Sequence, residues 1–132
     1  FINQRELAGT KHIIRGKSVK EMYKVLSNNG LLGLVSDQDA KSKGVFVDFF
    51  GTPASTPKGA ALFHINTRAP LLLGVCFKEN FKKYHIHFKA INTKNKNLKE
   101  ITQEYTSQLE SYIKQYPDQY FWFHRRWKTK KT

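Results

Sequence analysis

The stretch VFVDFFGTPASTP, residues 45–57, carries the clearest local pattern in the chain. Its first half alternates in the way that is typical of a strand, and Gly51 ends that pattern. Thr56 belongs to the residue types that cap helices, and Pro57 suits a first helical position because its missing N–H is not needed there. The stretch therefore predicts a strand, a turn and a helix N-terminus, whose free N–H groups favour phosphate or carboxylate. A plain Gly–Pro connection with buried aromatic side chains is the other interpretation.

The composition favours anionic partners. The 132 residues suffice for one domain with a modest core. A formal net charge of +13 favours nucleic acid, an anionic membrane surface, or phosphorylated lipids and carriers. Cys76 is the single cysteine, which excludes an internal disulfide. Because Cys76 lies in an apolar run, we expect a buried, inert thiol. With one cysteine and no disulfide, we also expect a reducing environment.

The ends of the chain carry little targeting information. The apolar runs fall well short of the about 20 residues that a membrane-spanning helix needs, and no signal peptide is apparent. The sequence begins at Phe1, within an element and without Met. We therefore expect a part of a longer protein.

The region before this stretch predicts a helix and a strand. Ser18 and Glu21 form a capping box for a helix that ends at the sequence Asn-Asn-Gly, residues 28–30. The run LLGLVS, residues 31–36, is typical of a strand buried on both faces, as in a parallel sheet. Asp37, Gln38 and Asp39 follow at once, and the carboxyl ends of such strands are where ligands bind. Turn formation is the other interpretation of these residues.

The region after it predicts two helices and a hairpin. A helix is expected from Pro57 to about Arg68, followed by a buried strand LLLGVCF over residues 71–77. Residues 84–91 alternate and complete a hairpin, with His85 and His87 on one face, where a solvated basic face is favoured over a metal site. A long amphipathic helix is expected from the capping pair Asn97 and Glu100 to Pro117.

The tail, residues 119–132, interleaves aromatic and basic residues. Three interpretations stay open: guanidinium groups facing phosphates, a surface that stacks single-stranded nucleic acid, and a C-terminal strand with a frayed basic end. No phosphate-binding loop of the Walker type, dinucleotide fingerprint or zinc spacing is present in the sequence, so neither a cofactor nor a metal is expected.

Several blocks together resemble the lipid A biosynthesis acyltransferases of Gram-negative bacteria, the lauroyl/myristoyl (Kdo-lipid A late) acyltransferase family. The blocks are Asn29-Gly30, LLGLVSDQDA at 31–40, GVFVDFFGTPASTPKGAAL at 44–62, residues 67–70, Leu109-Glu110, and YPDQYFWFHRRWK at 116–128. They occur in the right order over nearly the whole chain.

The resemblance implies an α/β fold of the glycerolipid acyltransferase type, a mixed sheet flanked by helices, with residues 1–132 forming the C-terminal half of a single domain. It implies transfer of an acyl chain from acyl carrier protein to a hydroxyl of a phosphorylated, Kdo-bearing lipid A precursor in lipopolysaccharide biosynthesis. The expected location is the cytoplasmic face of the inner membrane, peripheral or anchored through an N-terminal segment that this sequence lacks.

One feature of the family is missing. Its catalytic motif is a His followed five positions later by Asp or Glu, and none of the five histidines here has an acid at that spacing. In the family the motif lies upstream of the matched segment. The chain alone therefore lacks the base that would activate the acceptor hydroxyl, and we expect it to be inactive by itself.

The resemblance also implies roles for residues that are present. Arg5 is expected to stabilise an oxyanion or hold a substrate phosphate. The other expected substrate-binding residues are Asp37, Gln38, Asp39, Phe46, Phe49, Phe50, Thr56, His124, Arg125 and Arg126. Among them Asp37, Gln38 and Asp39, the acidic turn, would orient groups. The phenylalanines would shape or underlie an acyl tunnel, and the basic residues would bind phosphates.

Two alternatives remain. A small basic module could bind single-stranded nucleic acid through Tyr120, Trp122, His124 and Arg125, although the acyltransferase interpretation expects no nucleic acid partner. A non-catalytic family member could bind lipid or act as a scaffold subunit. The sequence does not determine acyl length, acceptor position or oligomeric state.

Overall fold

The structure, a computed structural model, describes residue 4, residues 6–13 and residues 19–131. Arg5, expected at the site, and Ser18, expected to cap a helix, lie outside the described residues. The chain divides into two compact units, Phe1–Gly33 and Leu34–Thr132. The assignment of residues 1–132 to one domain stays a prediction.

The first unit contains helix α1, Val19–Ser27. The helix ends as the Asn-Asn-Gly sequence predicts, because Asn29 adopts a positive φ of 55° and the Gly30 amide donates to the Val25 carbonyl oxygen at 2.8 Å. A Cβ at Gly30 would lie 2.8 Å from that same oxygen, so the close approach requires glycine.

The predicted strand at residues 31–36 is wrong. These residues form no strand, and Leu31 and Val35 are 88% and 84% exposed. A continuous apolar run becomes a buried strand only where neighbouring strands satisfy its N–H and C=O groups, and none of the described strands pairs with this run.

The second unit begins its regular structure with the hairpin of β1, Val45–Phe49, and β2, Thr52–Thr56. Phe50 and Gly51 both have positive φ, 55° and 73°, as a two-residue hairpin turn requires. The predicted strand and turn are therefore confirmed, but a second strand follows where a helix start was expected. β2 tolerates Pro53 because the sheet has two strands and both are edges.

Helix α2, Gly59–Thr67, starts later than predicted. Thr56 is the last residue of β2 and is not the cap; Lys58 occupies the N-cap position without a side-chain hydrogen bond. Arg68 ends the helix in the left-handed conformation at φ 60°, close to the predicted end.

Strands β3, Leu72–Lys78, and β4, Tyr84–Ala90, form the predicted antiparallel hairpin. Burial on both faces, expected for residues 71–77, is wrong, because only Phe77 of this strand is buried. One face packs on the last helix, and the other is exposed. Cys76, expected inside the core, is exposed on that outer face, where it pairs with Ile86.

Helix α3, Leu98–Gln115, packs against β1, α2 and β3 and contributes Ile101, Tyr105 and Ile113 to the core. The predicted capping box is confirmed: the Asn97 side chain accepts from the Glu100 amide at 3.1 Å, and the Glu100 carboxylate accepts from the Asn97 amide at 2.7 Å. Pro117 opens a short 3-10 turn, Pro117–Gln119, that follows the helix.

The described residues thus form a mixed α/β fold, as predicted, with three helices and two antiparallel hairpins. Two apolar clusters lie along α3. One centres on Ala61, Ile91, Ile101 and Tyr105, and the other on Phe49, Ala54 and Ile113.

Candidate functional site

A buried arginine joins the C-terminal tail to the β1–β2 hairpin. Arg126 is 2% exposed, and its Nη1 donates to the Ser55 carbonyl oxygen at 2.8 Å, while Nη2 donates to Thr56 Oγ1 at 2.5 Å. Its guanidinium carbon lies 5.2 Å from the centre of the Phe49 ring. Burial lowers the pKa of Arg126, and the nearby carboxylates of Asp37 and Asp39 oppose that shift.

Aromatic stacking holds the same two segments together. Trp127 stacks on Phe49 with ring centres 5.4 Å apart, and its Nε1 donates to the Phe49 carbonyl oxygen at 3.2 Å. Phe49 is fully buried, and the ring centres of Phe50 and Trp122 lie 6.1 Å apart. Phe49 and Phe50 of the hairpin therefore pack against aromatic residues of the tail.

The acidic turn, residues 37–39, is hydrogen-bonded to the tail as well. His124 Nε2 accepts a hydrogen bond from the Asp39 amide at 2.8 Å, and Thr129 Oγ1 donates to Asp39 Oδ2 at 2.8 Å. The Tyr120 hydroxyl donates to the Asp37 carbonyl oxygen at 3.4 Å. Because His124 Nε2 accepts, its proton lies on Nδ1 when the ring is neutral.

Each carboxylate of the acidic turn has one oxygen atom without a hydrogen-bond donor among the described residues. Oδ1 of Asp37 and Oδ1 of Asp39 are buried, and neither has a hydrogen-bond partner among the described residues. A buried acceptor without a donor is costly, so such atoms mark places where a ligand donor would be favourable.

An apolar cavity of about 350 Å³ opens beside Asp37. Its wall includes Leu34, Ala60, Leu71, Leu73, Ile91, Tyr105, Leu109 and Tyr120. The Tyr105 hydroxyl donates to the Pro57 carbonyl oxygen, and burial raises the pKa of Tyr105 and of Tyr120. The cavity therefore offers an apolar interior with one carboxylate at its wall.

The histidines outside this cluster have contacts of other kinds. His64 Nδ1 donates to the Ala69 carbonyl oxygen at 2.8 Å at the end of α2. His85 Nε2 donates to the exposed carboxylate of Glu79 at 2.5 Å, and His87 packs edge-on against Phe77 at 5.2 Å. Within residues 4, 6–13 and 19–131, no three His, Cys, Asp or Glu side chains come together as a metal site.

A sequence profile of the bacterial lipid A biosynthesis acyltransferases matches residues 1–129. The chain belongs to this family. The structure brings together three of the blocks that carried the resemblance in the sequence: the hairpin at 45–56, the acidic turn and the tail.

Two curated relatives of this acyltransferase family member are phosphatidylinositol mannoside acyltransferases of Mycobacterium tuberculosis. The protein of strain ATCC 25618 / H37Rv is 28% identical over 131 residues, and that of strain CDC 1551 / Oshkosh is 27% identical. Each alignment covers 96% of this chain and 42% of the relative, so the chain spans less than half the length of these proteins. No helix in the described part of this acyltransferase chain is long and apolar enough to cross a membrane.

The residues predicted for the acyltransferase site fall into three groups. One cluster gathers Asp37, Asp39, Phe49, Phe50, Thr56, His124 and Arg126. Phe46 is half-buried on β1, and Gln38 and Arg125 are exposed. Arg5 lies outside the described residues, and the substrate roles of all these residues stay predictions.

Sequence reasoning missed several members of the cluster. Ser55 and Thr129 supply hydrogen bonds to it, and Trp127 supplies the stack on Phe49. Ser55 and Trp127 lie inside the blocks that carried the resemblance, which was the available signal. Thr129 lies just beyond the last block, and no sequence pattern singles it out.

The alternative nucleic-acid surface is partly engaged inside the fold. Tyr120 and Trp122 pack edge to face with ring centres 4.9 Å apart, and His124 is bonded to the acidic turn. Of the four residues assigned to that surface, Arg125 is exposed and Trp122 is 48% exposed.

Proposed function

We propose that the whole protein transfers a fatty acyl chain to a hydroxyl of a phosphorylated glycolipid. In the finer form of the proposal, acyl carrier protein is the donor and a Kdo-bearing lipid A precursor is the acceptor, at the cytoplasmic face of the inner membrane. The names of the mycobacterial relatives give phosphatidylinositol mannoside as a second acceptor of the same chemistry, a hydroxyl on an anionic glycolipid.

The apolar cavity beside Asp37 is the observation that carries the proposal. Its volume of about 350 Å³ falls within the range of about 300–1,000 Å³ for small-ligand pockets, and its wall is predominantly aliphatic and aromatic, as an acyl chain requires. Part of that wall comes from Leu73 of β3 and Leu109 of α3, so a packed scaffold holds its shape.

The buried acceptor atom of Asp37 supports a polar role at the same place. Asp37 contributes to the cavity wall, and its Oδ1 lacks a hydrogen-bond donor among the described residues. A hydroxyl or amide N–H of a substrate would satisfy it, and such a bond would orient the substrate at the entrance of the acyl site. Asp37 then acts as a positioning group and not as a nucleophile.

The chemical step requires a base outside the pattern found here. An ester bond forms between the acceptor oxygen and the acyl carbon, the thioester C–S bond breaks, and the hydroxyl proton must be accepted while the thiolate leaves. The family places a His and an acid at this task, and this sequence holds no such pair. Arg5 remains the proposed contact for the oxyanion or a phosphate.

The charge of the chain supports an anionic acceptor. Arg125 and Lys128 are exposed beside the buried Arg126, and the chain as a whole carries a net charge of +13. Guanidinium and ammonium groups bind phosphate oxygens through charge-assisted hydrogen bonds.

The test is an acyl transfer assay with the whole protein. Acyl carrier protein thioesters serve as donors, with a Kdo-lipid A precursor in one arm and phosphatidylinositol mannoside in the other. We expect product in at least one arm, and a loss of about 10- to 100-fold in kcat/KM for Arg5→Ala and for Asp37→Asn. Asp118→Asn, at an exposed acid, is the matched control. Absence of product in both arms contradicts the proposal.

A further inference from the structure

Exposed aromatic side chains occur at one end of the β3–β4 hairpin. Phe81, in the turn between the strands, is 84% exposed. Phe121 and Phe123, in the tail, are 62% and 90% exposed, with ring centres 5.8 Å apart. Large apolar side chains this exposed are unusual in a soluble domain when they occur in groups, and they indicate an interaction surface.

A two-way hydrogen bond holds these aromatics at the same end of the molecule. The Gln119 side chain accepts from the Lys78 amide at 2.7 Å and donates to the Lys78 carbonyl oxygen at 3.0 Å. Phe81 follows Lys78 by three residues, and Phe121 follows Gln119 by two, so each lies within about 11 Å of chain from this bridge.

The orientation of the tail follows an alternating pattern. Tyr120 and His124 are half-buried, and Trp122, although 48% exposed, packs against Tyr120 and Phe50; His124 is hydrogen-bonded to the acidic turn. Phe121 and Phe123 are exposed between them. The two phenylalanines are therefore held outward by the inward contacts of their neighbours, which a frayed tail would not provide.

Basic residues accompany the exposed rings. Lys78, Lys82 and Lys83 are exposed in or beside the turn, and Arg125 is exposed next to the tail phenylalanines. Lys78 Nζ lies 5.5 Å from the centre of the Phe81 ring. Glu79 is the acid within residues 78–83 and 121–125, and its carboxylate is already paired with Lys83 at 2.8 Å.

We propose that this aromatic–basic end, Phe81, Phe121 and Phe123 with Lys78, Lys82, Lys83 and Arg125, docks on an anionic phospholipid bilayer. Aromatic rings favour the interface between headgroups and acyl chains, and lysine or arginine beside them is attracted by anionic headgroups. This surface would hold the protein at the membrane where the proposed function places it. Binding of this surface to a bilayer does not depend on acyl transfer, because it is measured without an acyl donor or an acceptor.

The test is sedimentation of the 132-residue chain with sucrose-loaded vesicles of phosphatidylcholine alone or with phosphatidylglycerol. We expect binding to the phosphatidylglycerol vesicles that falls as salt is raised. Phe81→Ser combined with Phe123→Ser should lower the partition coefficient by roughly tenfold or more. Lys82→Glu combined with Arg125→Glu should also lower it by roughly tenfold.

Matched controls exist at the opposite end of the hairpin. Lys94 and Lys99 are exposed in the loop and helix that follow β4, and Lys94→Glu combined with Lys99→Glu makes the same change in charge. A loss of binding as large as that of Lys82→Glu with Arg125→Glu would show a general charge effect and overturn the proposal.

Depth of insertion gives a second readout. Phe123→Trp should show a blue shift on the anionic vesicles and quenching by brominated lipid beyond that of the unmodified chain. Ile65→Trp, on helix α2, should show neither. Unchanged vesicle binding by the phenylalanine variants, together with lost binding to a single-stranded oligonucleotide, would overturn the proposal and favour nucleic acid.

Discussion

The guanidinium of Arg126 donates to the main-chain oxygen of Ser55, a residue 71 positions earlier in the chain. Ser55 also accepts there from the Ala40 amide at 3.1 Å, and its hydroxyl donates to the Lys41 carbonyl oxygen at 2.6 Å. The tail, the β1–β2 hairpin and the segment after the acidic turn therefore meet at one serine. A Cβ at Gly44 would lie 2.2 Å from the Ser55 hydroxyl oxygen, so this meeting point also requires glycine beside it.

Replacing Arg126 should destabilise the fold. Arg126→Met keeps much of the side-chain volume but removes the guanidinium donor to Thr56 Oγ1 and one of the two donors to the Ser55 carbonyl oxygen. We expect the free energy of unfolding to fall by about 2–4 kcal/mol, measured by urea denaturation. Arg125→Met, at the exposed neighbour, should change it by less than about 0.5 kcal/mol. Equal losses in the two variants would contradict a structural role for Arg126.

Removing the cap of α3 should also destabilise the chain. Asn97→Ala removes the oxygen that accepts from the Lys99 and Glu100 amides. We expect a loss of about 1 kcal/mol in the free energy of unfolding. Lys99→Ala, two residues into the helix, is the control and should be nearly neutral. An unchanged midpoint for Asn97→Ala would show that the box contributes nothing to stability.

The lowered pKa of Glu110 should make the stability of the fold depend on pH in the acid range. The hydrogen bond from Lys114 at 2.6 Å, and a further one from the Phe50 amide at 2.8 Å, lower the pKa of Glu110. A group whose pKa is lowered on folding stabilises the fold above its unfolded pKa, about 4.3 for Glu, and this contribution is lost as the pH falls through the folded pKa. Stability should therefore decrease as the pH falls below that range.

The measurement is urea denaturation at a series of pH values. Glu110→Gln should flatten the acid limb of the curve relative to the unmodified chain, since its titration is removed. Lys114→Met removes the larger cause of the lowered pKa of Glu110. It should flatten the acid limb only in part, because the hydrogen bond from the Phe50 amide remains. If both variants retain the full slope, other carboxylates account for the acid dependence.

The apolar cavity should bind a fatty acyl probe. We expect cis-parinaric acid to bind the chain with enhanced fluorescence and Ala60→Leu to weaken binding about tenfold, because the added atoms occupy part of the cavity. Ala90→Leu makes the same change on the exposed face of β4. Unaltered affinity in Ala60→Leu would place the probe elsewhere.

The 132-residue chain by itself should transfer no acyl group. None of its histidines precedes an acid by five positions, so the family's base is absent from this polypeptide. The assay uses acyl carrier protein thioester and glycolipid acceptor, with the whole protein as positive control. Product formation by the chain alone would contradict this expectation and require a different base.

Local signals predicted much of the fold. The Asn97–Glu100 pair begins α3, the Asn-Asn-Gly sequence ends α1, and the alternation in residues 84–91 marks β4. Each of these rests on neighbours within a few positions in sequence. Such signals act before tertiary contacts do, which explains why they survive in the structure.

The failures concern positions where long-range contacts decide. Thr56 resembles a helix cap in sequence, but pairing with Val45 and the bond from Arg126 keep it in a strand. The run at 31–36 has the composition of a core strand and lacks a pairing partner among the described strands. Propensity yields to tertiary context in both cases.

The sequence predicted which segments form the candidate site but not how their side chains are placed relative to one another. Resemblance selected the acidic turn, the hairpin and the tail, and it also implied that Arg126 would contact a substrate phosphate. Its 2% exposure depends on Trp127, Phe49 and Ser55, which are close only after folding. A sequence gives no measure of which of two adjacent arginines is buried.

The bridge from Arg126 to Ser55 also sets an order of events during synthesis. At translation rates of about 5–20 residues per second, the hairpin waits roughly 4–14 s for its last partner to be made. During that interval the Phe49 ring lacks its cover, and chaperones have access to it. A ribosome that stalls before residue 126 is made would therefore leave a nascent chain in which the β1–β2 hairpin lacks both the Arg126 hydrogen bonds and the Trp127 stack.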